Sequence, residues 1–155
     1  MLDLFAGMTA YLADHVSKRW VEKELKENTE MRPLKGGRIV LRRLSNAGSA
    51  GGFLADKKSL VTAGSASALA GITAAWFYAI AQGSSQLIRL GLALAVGGGA
   101  GNLKDRIKKG AVTDFISFRT GNGRMSRLVY NLADFAIFAG GILVLIGTFI
   151  HRETS

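Results

Sequence analysis

The stretch that decides the fold is residues 130–150, which read "YNLADFAIFAGGILVLIGTFI". Leu132 to Ile150 is 19 residues long, and Asp134 is its only acidic or basic residue. Because about 20 apolar residues cross about 30 Å of hydrocarbon as an α-helix, the stretch predicts a membrane-spanning helix. A carboxylate in hydrocarbon is costly unless it has a partner, so Asp134 in the first turn is a candidate functional residue.

Three further segments predict helices of the same kind. Leu60 to Ala81 is 22 residues without a charge, and Leu87 to Leu103 is 17 residues that include Arg89 and five glycines. Glycine is tolerated in membrane helices because small residues let neighbouring helices approach closely. The first segment, Met1 to Ala13, is apolar except for Asp3 and is too short to span a membrane without the polar residues that follow it.

These segments predict one integral membrane domain over residues 1–155. Its first helix would have to carry Asp14 and Lys18 within or just beneath the membrane interface. No basic region precedes the first apolar stretch, so a secretory signal peptide fits poorly and we expect no removable targeting segment. The four helices are expected at approximately 1–30, 60–81, 87–106 and 131–150.

The composition narrows the class of protein. Hydrophobic residues make up 48% of the chain, and the net charge of +9 is concentrated between Lys18 and Lys58 and between Lys104 and Arg127. Because no nucleic-acid-binding motif accompanies these basic residues, attraction to anionic lipid headgroups explains them better. The absence of cysteine excludes thiol chemistry, and two histidines make a histidine-rich metal centre improbable.

The segment that follows the first helix changes character. Pro33 and the pair Gly36 and Gly37 indicate that the helix stops near them. Ile39, Leu41 and Leu44 then give a short, imperfect two-residue alternation. This pattern favours a small strand or hairpin.

Polar residues cluster at the end of the third helix and the start of the fourth. Asn102, Asp105 and Arg106 share one helix face at spacings of three and four residues. Asp114 follows eight residues later, and the long loop after it lets Asp114 fold back onto the start of the fourth helix. Two carboxylates held close together cannot both ionise, so Asp114 and Asp134 would share a proton.

Such a pair can perform aspartic-protease chemistry. One carboxylate removes a proton from water, and the other polarises the amide carbonyl and helps to supply the proton for the leaving nitrogen. The alternative is that Asp134 only caps its helix or pairs with Arg106 or Arg127, while Asp114 is an exposed loop acid. The spacing alone leaves both interpretations equally open.

Five stretches occur in an order that resembles a known family. They are "LADHVSK" (12–18), "LSNAGSAGGFL" (44–54), "GGGAGNLKDR" (97–106), "KGAVTDF" (109–115) and "YNLAD" (130–134). Together they resemble the signature stretches of lipoprotein signal peptidase, or signal peptidase II, a membrane aspartic peptidase family of bacteria. The resemblance runs from about Leu12 to Ile150. It implies an all-α membrane protein, a four-transmembrane-helix bundle with a small extracytoplasmic β element between helices 1 and 2.

The resemblance also implies a role for each matching residue. Asp114 and Asp134 fall on the catalytic pair. Gly98 would allow close helix approach, and Asp105 would support Arg106. Substrate-binding or site-lining positions are matched by Asp14, Lys18, Asn46, Gly48, Asn102, Arg106, Asn131 and Ala133.

The implied substrate is a prolipoprotein whose cysteine carries diacylglycerol, cut on the amino side of that cysteine. The expected partners are this substrate and membrane lipids, with no nucleic acid, no cofactor and no metal, and the protein is expected to be a monomer. The resemblance places it in the bacterial cytoplasmic (inner) membrane as a multi-pass protein with its active site towards the extracytoplasmic side. The rival interpretations are a non-catalytic relative that binds lipidated peptides and a small proton-conducting bundle.

Two features depart from the family pattern. Gly51 and Gly52 precede Phe53, where family members commonly have a phenylalanine directly after the Asn-x-Gly-x-Ala stretch. The charge distribution is the larger conflict, because 18 basic residues lie in or beside the two long loops and only Arg89 and Arg152 lie at the opposite ends. The positive-inside rule would place those loops in the cytoplasm, whereas the resemblance places them outside. We follow the resemblance, because an ordered set of motifs is more specific than a charge bias.

Overall fold

A computed structural model describes residues 1–27, 31–33, 38–48, 56–118 and 128–153. The described residues form four helices and a small four-stranded sheet. Gly51, Gly52, Phe53 and Arg127 lie outside the described residues. The elements in chain order are α1 (Leu2–Glu24), β1 (Met31–Pro33), β2 (Ile39–Asn46), α2 (Lys58–Ala81), α3 (Gln86–Lys109), β3 (Val112–Phe118), β4 (Val129–Tyr130) and α4 (Leu132–Glu153).

Helix α3 is the centre of the bundle and packs against the other three helices. Asp14 on α1 contacts Gly101 on α3, and Lys18, one turn later on α1, contacts Asp105, one turn later on α3. The contacts run in the same direction along both helices, so α1 and α3 are parallel. On α3, Gly91 contacts Gly140 and the later residue Gly98 contacts Ala133, which is earlier on α4. The contacts therefore run in opposite directions along the two helices, so α3 and α4 are antiparallel. The sheet therefore lies at the end of the bundle where α1 and α3 finish and α4 begins.

Close packing of α1 on α3 depends on glycine. A Cβ atom added at Gly97 would collide with the backbone carbonyl of Gly7 on α1. The two helix backbones are in direct contact at this point, as small residues permit in membrane proteins. The glycine-rich stretch of the third helix thus serves helix packing.

The outer surfaces of the helices are apolar. Within the described residues, two helices are long and apolar enough to cross a membrane, α2 and the segment Leu132–Ile150 of α4. Large apolar side chains are exposed on α1, α2 and α4, including Phe5, Phe77 and Phe138. A soluble monomer rarely exposes so much apolar surface, which agrees with a membrane environment for this bundle.

The sheet is antiparallel in the order β1-β2-β3-β4. The expected strand at Ile39, Leu41 and Leu44 is confirmed as part of β2, and its imperfect alternation corresponds to a register shift between Leu41 and Leu44. The β element expected between helices 1 and 2 is present as β1 and β2, but the sheet is larger than expected. Strands β3 and β4 come from the segment between α3 and α4, and β3 pairs with β2 along most of its length.

The first helix ends earlier than expected. It stops at Glu24, because Leu25 takes an extended backbone conformation (φ −116°, ψ 130°) and its side chain is buried with Val21 and Phe115. Pro33 lies in β1 and does not terminate the helix. The 23 residues of α1 still extend about 35 Å, which exceeds the hydrocarbon thickness of about 30 Å.

The other helices differ from expectation at their ends. Helix α3 continues to Lys109, three residues past the expected end, and stops at Gly110, whose φ of 72° is a left-handed conformation that glycine adopts without strain. The turn between α2 and α3 is tight, with only residues 82–85 between the two helices. Helix α4 begins at Leu132 and extends to Glu153.

Candidate active site

The start of α4 shows why an acid lies in the first turn of an apolar helix. The Asn131 side-chain oxygen accepts a hydrogen bond from the Asp134 backbone N–H at 2.9 Å, and the Asp134 carboxylate accepts one from the Asn131 backbone N–H at 3.0 Å. This reciprocal pair is a capping box, which satisfies backbone donors that a helix start leaves unpaired. Asp134 therefore caps its helix, as the alternative interpretation expected, but the cap uses only one of its two oxygens.

The second oxygen of Asp134 faces α3. Asn102 Nδ2 donates a hydrogen bond to Asp134 Oδ1 at 2.9 Å. Arg106 forms no ion pair with Asp134 among the described residues, because its Nη2 instead donates to the Gly48 carbonyl oxygen at 3.2 Å. The proposed ion pair between Asp134 and Arg106 is therefore not what the structure shows.

Asp114 reaches the same place from the sheet. It belongs to β3, its side chain is 3% exposed, and it receives hydrogen bonds from Asn46 Nδ2 at 2.9 Å and Asn131 Nδ2 at 2.7 Å. Asn46 is held for this contact because its oxygen accepts the Gly48 backbone N–H at 3.2 Å. The alternative that Asp114 is an exposed loop acid was wrong.

Asn131 joins the two acids. Its Nδ2 group donates to Asp114, its Oδ1 atom accepts from the Asp134 backbone, and its side chain is completely buried. Asn131 Nδ2 also donates to Asn102 Oδ1 at 3.1 Å, so each polar atom of this amide has a partner. One residue thus fixes the positions of both carboxyl groups.

Both acids line a cavity of about 610 Å³. Its polar wall consists of Asn46, Asn102, Arg106, Asp114 and Asp134. The remaining lining is apolar except for the Tyr130 hydroxyl and is formed by Val112, Phe118, Leu128, Val129, Tyr130, Phe135, Ile137 and Phe138. The structure therefore brings together five of the residues expected at the site and places them at the polar side of an otherwise apolar cavity.

Comparison with known proteins identifies the family. The model of the signal peptidase (SPase) II family matches residues 7–150. The chain belongs to the signal peptidase II family. Relatives named lipoprotein signal peptidase include one from Shewanella oneidensis, 32% identical over 93% of this chain and 84% of the relative, and one from Yersinia pseudotuberculosis, 33% identical over 95% and 86%.

Solved structures share the fold. A bacterial membrane enzyme solved by the in meso method at 2.3 Å resolution superposes with a TM-score of 0.81 at 21% identity, covering 99% of this chain and 90% of that one. A second bacterial membrane enzyme, solved at 1.9 Å resolution, gives a TM-score of 0.79 at 20% identity and covers 95% and 92%. The chain thus shares the fold of these two solved proteins. As a member of the signal peptidase II family, it is a protease.

Seven of the twelve expected site residues do not line the cavity of this family member. Asp14 and Lys18 are 0% and 2% exposed, because the face of α1 that carries them packs on α3. Asp14 Oδ1 accepts the Ala133 backbone N–H at 3.0 Å, which satisfies another free donor at the start of α4. Asp105 is buried beside Lys18, and its oxygens face Lys18 and Lys109. The others are Gly48, Asn131, Ala133 and Gly98, and Gly98, expected to allow close helix approach, lies against Ala133.

Sequence reasoning missed two groups of residues. One is a tether in which Glu22 accepts hydrogen bonds from Lys109 and, at 2.6 Å, from Thr113, the residue before Asp114. The other is a group of aromatic rings on the cavity wall, Phe118, Tyr130 and Phe135, whose centroids lie 5.9 to 6.4 Å apart. The sequence did contain one indication of these aromatic residues, because Tyr130 directly precedes the expected site residue Asn131. No cluster that could hold a metal ion occurs among the described side chains.

Burial changes the acidity of Asp114. Desolvation by burial and the nearby Asp134 charge raise the pKa of its carboxyl group, while the hydrogen bonds from Asn46 and Asn131 lower it, and the net effect is a rise from 3.8 to about 6. Asp114 therefore retains a proton to higher pH than an ordinary aspartate. This is the behaviour required of the acid in a two-carboxylate site.

The raised pKa of Asp114 predicts a pH-dependent stability. Because the folded state holds this proton more tightly than the unfolded state, the stabilisation is complete below about pH 4 and is lost as the pH rises to about 6. The difference of about two units between the folded and unfolded pKa of Asp114 corresponds to about 3 kcal/mol of stability. We expect unfolding in detergent, measured at pH 4 and pH 7, to show this loss in the wild type relative to Asp114→Asn. Equal pH dependence of the two proteins would contradict the environment described for Asp114.

Proposed function

We propose that this protein is a membrane aspartic endopeptidase that removes signal peptides from diacylglyceryl-modified prolipoproteins, cutting before the lipidated cysteine. The observation that carries the proposal is the pair Asp114 and Asp134, joined through Asn131 on the polar wall of an apolar cavity. A peptide bond beside a lipidated cysteine presents both a polar amide and long acyl chains. The polar and apolar walls of the cavity match these two parts.

In the proposed reaction, Asp114 begins protonated and Asp134 begins ionised. Asp134 removes a proton from a water molecule as its oxygen attacks the carbonyl carbon, and Asp114 gives its proton to the carbonyl oxygen. The resulting tetrahedral diol collapses when Asp134 donates its proton to the leaving nitrogen and Asp114 takes back a proton from a diol hydroxyl. The carbon–nitrogen bond breaks, and both acids return to their starting states.

The other polar residues of the cavity are proposed to hold the substrate and the acids. Asn46, Asn102 and Asn131 direct N–H groups at the two carboxyl groups, which orients them. Arg106 lines the cavity, and its buried Nε has no hydrogen-bond partner among the described residues. A buried donor of this kind is costly unless paired, so we assign Arg106 Nε to a substrate backbone carbonyl.

The apolar wall is proposed to take the acyl chains. Phe138 is 71% exposed and Phe135 is 39% exposed, so the wall continues onto the outer apolar surface of α4. A lipid-bearing substrate could then enter sideways from the membrane without passing its acyl chains through water. Burial of about 0.8 kcal/mol per CH₂ group would favour the lipidated substrate strongly over an unmodified one.

The membrane arrangement completes the proposal. The four helices alternate in direction, and the polar end of the bundle holds the sheet and the acids. We propose that residues 1–155 form one domain that acts as a monomer. We place α1 and α3 across the membrane with α2 and α4, because α1 and α3 pack their polar side chains against each other. The enzyme is proposed to lie in the bacterial inner membrane with the sheet on the extracytoplasmic side, where signal peptides emerge.

Cleavage of a defined peptide tests the function. The purified protein in detergent should cut a prolipoprotein peptide that carries a diacylglyceryl cysteine, and mass spectrometry should show the new amino terminus at that cysteine. The matched control is the same peptide with unmodified cysteine, which should be cut far more slowly because it cannot fill the apolar wall. Equal rates for the two peptides would contradict the proposed role of the lipid, and no cleavage of either would contradict the function.

A further inference from the structure

The ammonium group of Lys18 is buried behind Asn102, the residue that donates a hydrogen bond to Asp134. Three oxygens surround its Nζ atom: Asp14 Oδ2 at 2.7 Å, Asp105 Oδ2 at 3.2 Å and Asn102 Oδ1 at 2.8 Å. An ammonium group has three N–H donors and no acceptor. Two ion pairs and one hydrogen bond therefore compensate its charge within the bundle, and Lys18 is not among the residues that line the cavity.

The contact with Asn102 has a consequence for Asp134. Because an ammonium group only donates, the Asn102 atom that faces Lys18 must be the amide oxygen. The Asn102 nitrogen must then point the other way, and it donates to Asp134 Oδ1 at 2.9 Å. Reversing the amide would place N–H groups against Lys18 and an oxygen against the Asp134 carboxylate.

A second donor reinforces this orientation. Asn131 Nδ2 donates to the same Asn102 oxygen at 3.1 Å, but this bond joins two neutral amides. Hydrogen bonds to a charged group are roughly twice as strong as neutral ones, so Lys18 supplies the larger part of the anchor. Asp14 and Asp105 compensate the positive charge of Lys18, so the ammonium group can be buried next to Asn102.

We propose that Lys18 is a positioning residue, which anchors the Asn102 amide so that its N–H group is held on Asp134 throughout the reaction. This inference rests on the proposed function. It assigns Lys18 an action through Asn102, in place of the substrate contact that the sequence predicts. Its effect is on the rate of the chemical step and not on substrate binding.

The simplest substitution, Lys18→Met, would leave Asp14 with an uncompensated buried charge and could unfold the protein. The test therefore uses the charge-balanced variant Asp14→Asn with Lys18→Met. The asparagine introduced at position 14 still offers an oxygen to the Ala133 N–H, and Asp105 still pairs with Lys109 at 2.9 Å. We expect kcat for the diacylated peptide to fall between about ten- and a hundredfold, with KM changed less than about threefold.

A double-mutant cycle with Asn102→Leu separates this action from a general structural one. In the Asn102→Leu background, the charge-balanced variant should lower kcat by less than about twofold, because the residue through which Lys18 acts is already absent. Lys104→Met is the matched control, since Lys104 also joins α3 to α1, through His15 at 3.2 Å, without touching Asn102. We expect Lys104→Met to leave kcat unchanged.

The role assigned to Lys18 would be overturned if the charge-balanced variant lowered kcat by the same factor with and without Asn102→Leu. It would also be overturned if that variant raised KM and left kcat unchanged. A wild-type protein that does not cut the diacylated peptide would overturn the proposed function, and this inference with it. An active wild type with independent effects would overturn the inference alone.

Discussion

Asparagine in place of Asp134 or of Asp114 is expected to slow cleavage of the diacylated peptide by roughly 10²–10⁴-fold, the usual contribution of a positioned acid or base. In the Asp134→Asn variant, the amide can neither take a proton from water nor return one to the leaving nitrogen. In the Asp114→Asn variant, the amide cannot give a proton to the carbonyl oxygen and take it back. Because the two acids act as one unit, the double variant should be little slower than the slower single variant.

The same substitutions should leave the fold intact. An asparagine oxygen at position 134 can still accept the Asn131 backbone N–H, so the cap on α4 is retained. Asp56→Asn is the matched control, because Asp56 is an exposed acid outside the cavity, and its kcat should equal that of the wild type. Steady-state rates and thermal unfolding of all four variants provide the comparison. Cleavage by either single variant at the wild-type rate would refute the assigned chemistry.

The proximity of the two acids could be predicted from sequence because it depends on few facts. Asn131 and Asp134 are three residues apart at a helix start, and the segment after α3 is long enough to bring Asp114 back to them. The structure has Asp114 and Asp134 on the wall of one cavity, with Asn131 between them. Their catalytic roles remain a prediction until rates are measured.

Strand β3 could not be recognised, although it carries Asp114. A strand with one exposed face shows a two-residue alternation, but the first four residues of β3 are all buried. One face of β3 packs on α1 through Phe115, and the other presents Asp114 to the cavity. Burial of both faces removes the alternation, so the segment reads as an irregular loop.

The buried state of Asp14 and Lys18 was equally hidden. In the sequence they begin a regular series of alternating charges four residues apart, which is typical of a solvated helix face. The partners that explain their burial are distant in the chain: Asn102 lies 84 residues beyond Lys18, and Ala133 lies 119 residues beyond Asp14. The spacing of charges within α1 carries no information about such distant partners. The order of the five family motifs does, because it assigns Asp14, Lys18 and Asn102 to the same site.

Packing between α3 and α4 should be as important for activity as the acids themselves. A Cβ atom at Gly98 would lie 2.5 Å from the Ala133 carbonyl oxygen and 3.0 Å from Ile137 Cγ1. Because the first of these is backbone, valine at position 98 can be accommodated only if the two helices separate. Ala133 precedes Asp134, and Asn102 lies one turn after Gly98, so separation would lengthen the Asn102–Asp134 hydrogen bond of 2.9 Å.

We therefore expect Gly98→Val to destabilise the protein by about 3 kcal/mol and to reduce kcat at least about a hundredfold. Gly141→Val is the matched control, since a Cβ atom at Gly141 on α4 meets no atom within 4 Å. Thermal unfolding in detergent and cleavage of the diacylated peptide would be measured for both variants. If Gly98→Val matched Gly141→Val in both measurements, close approach of α3 to α4 would not be what holds Asp134 in place, and the geometry of the site would have to depend on the sheet instead.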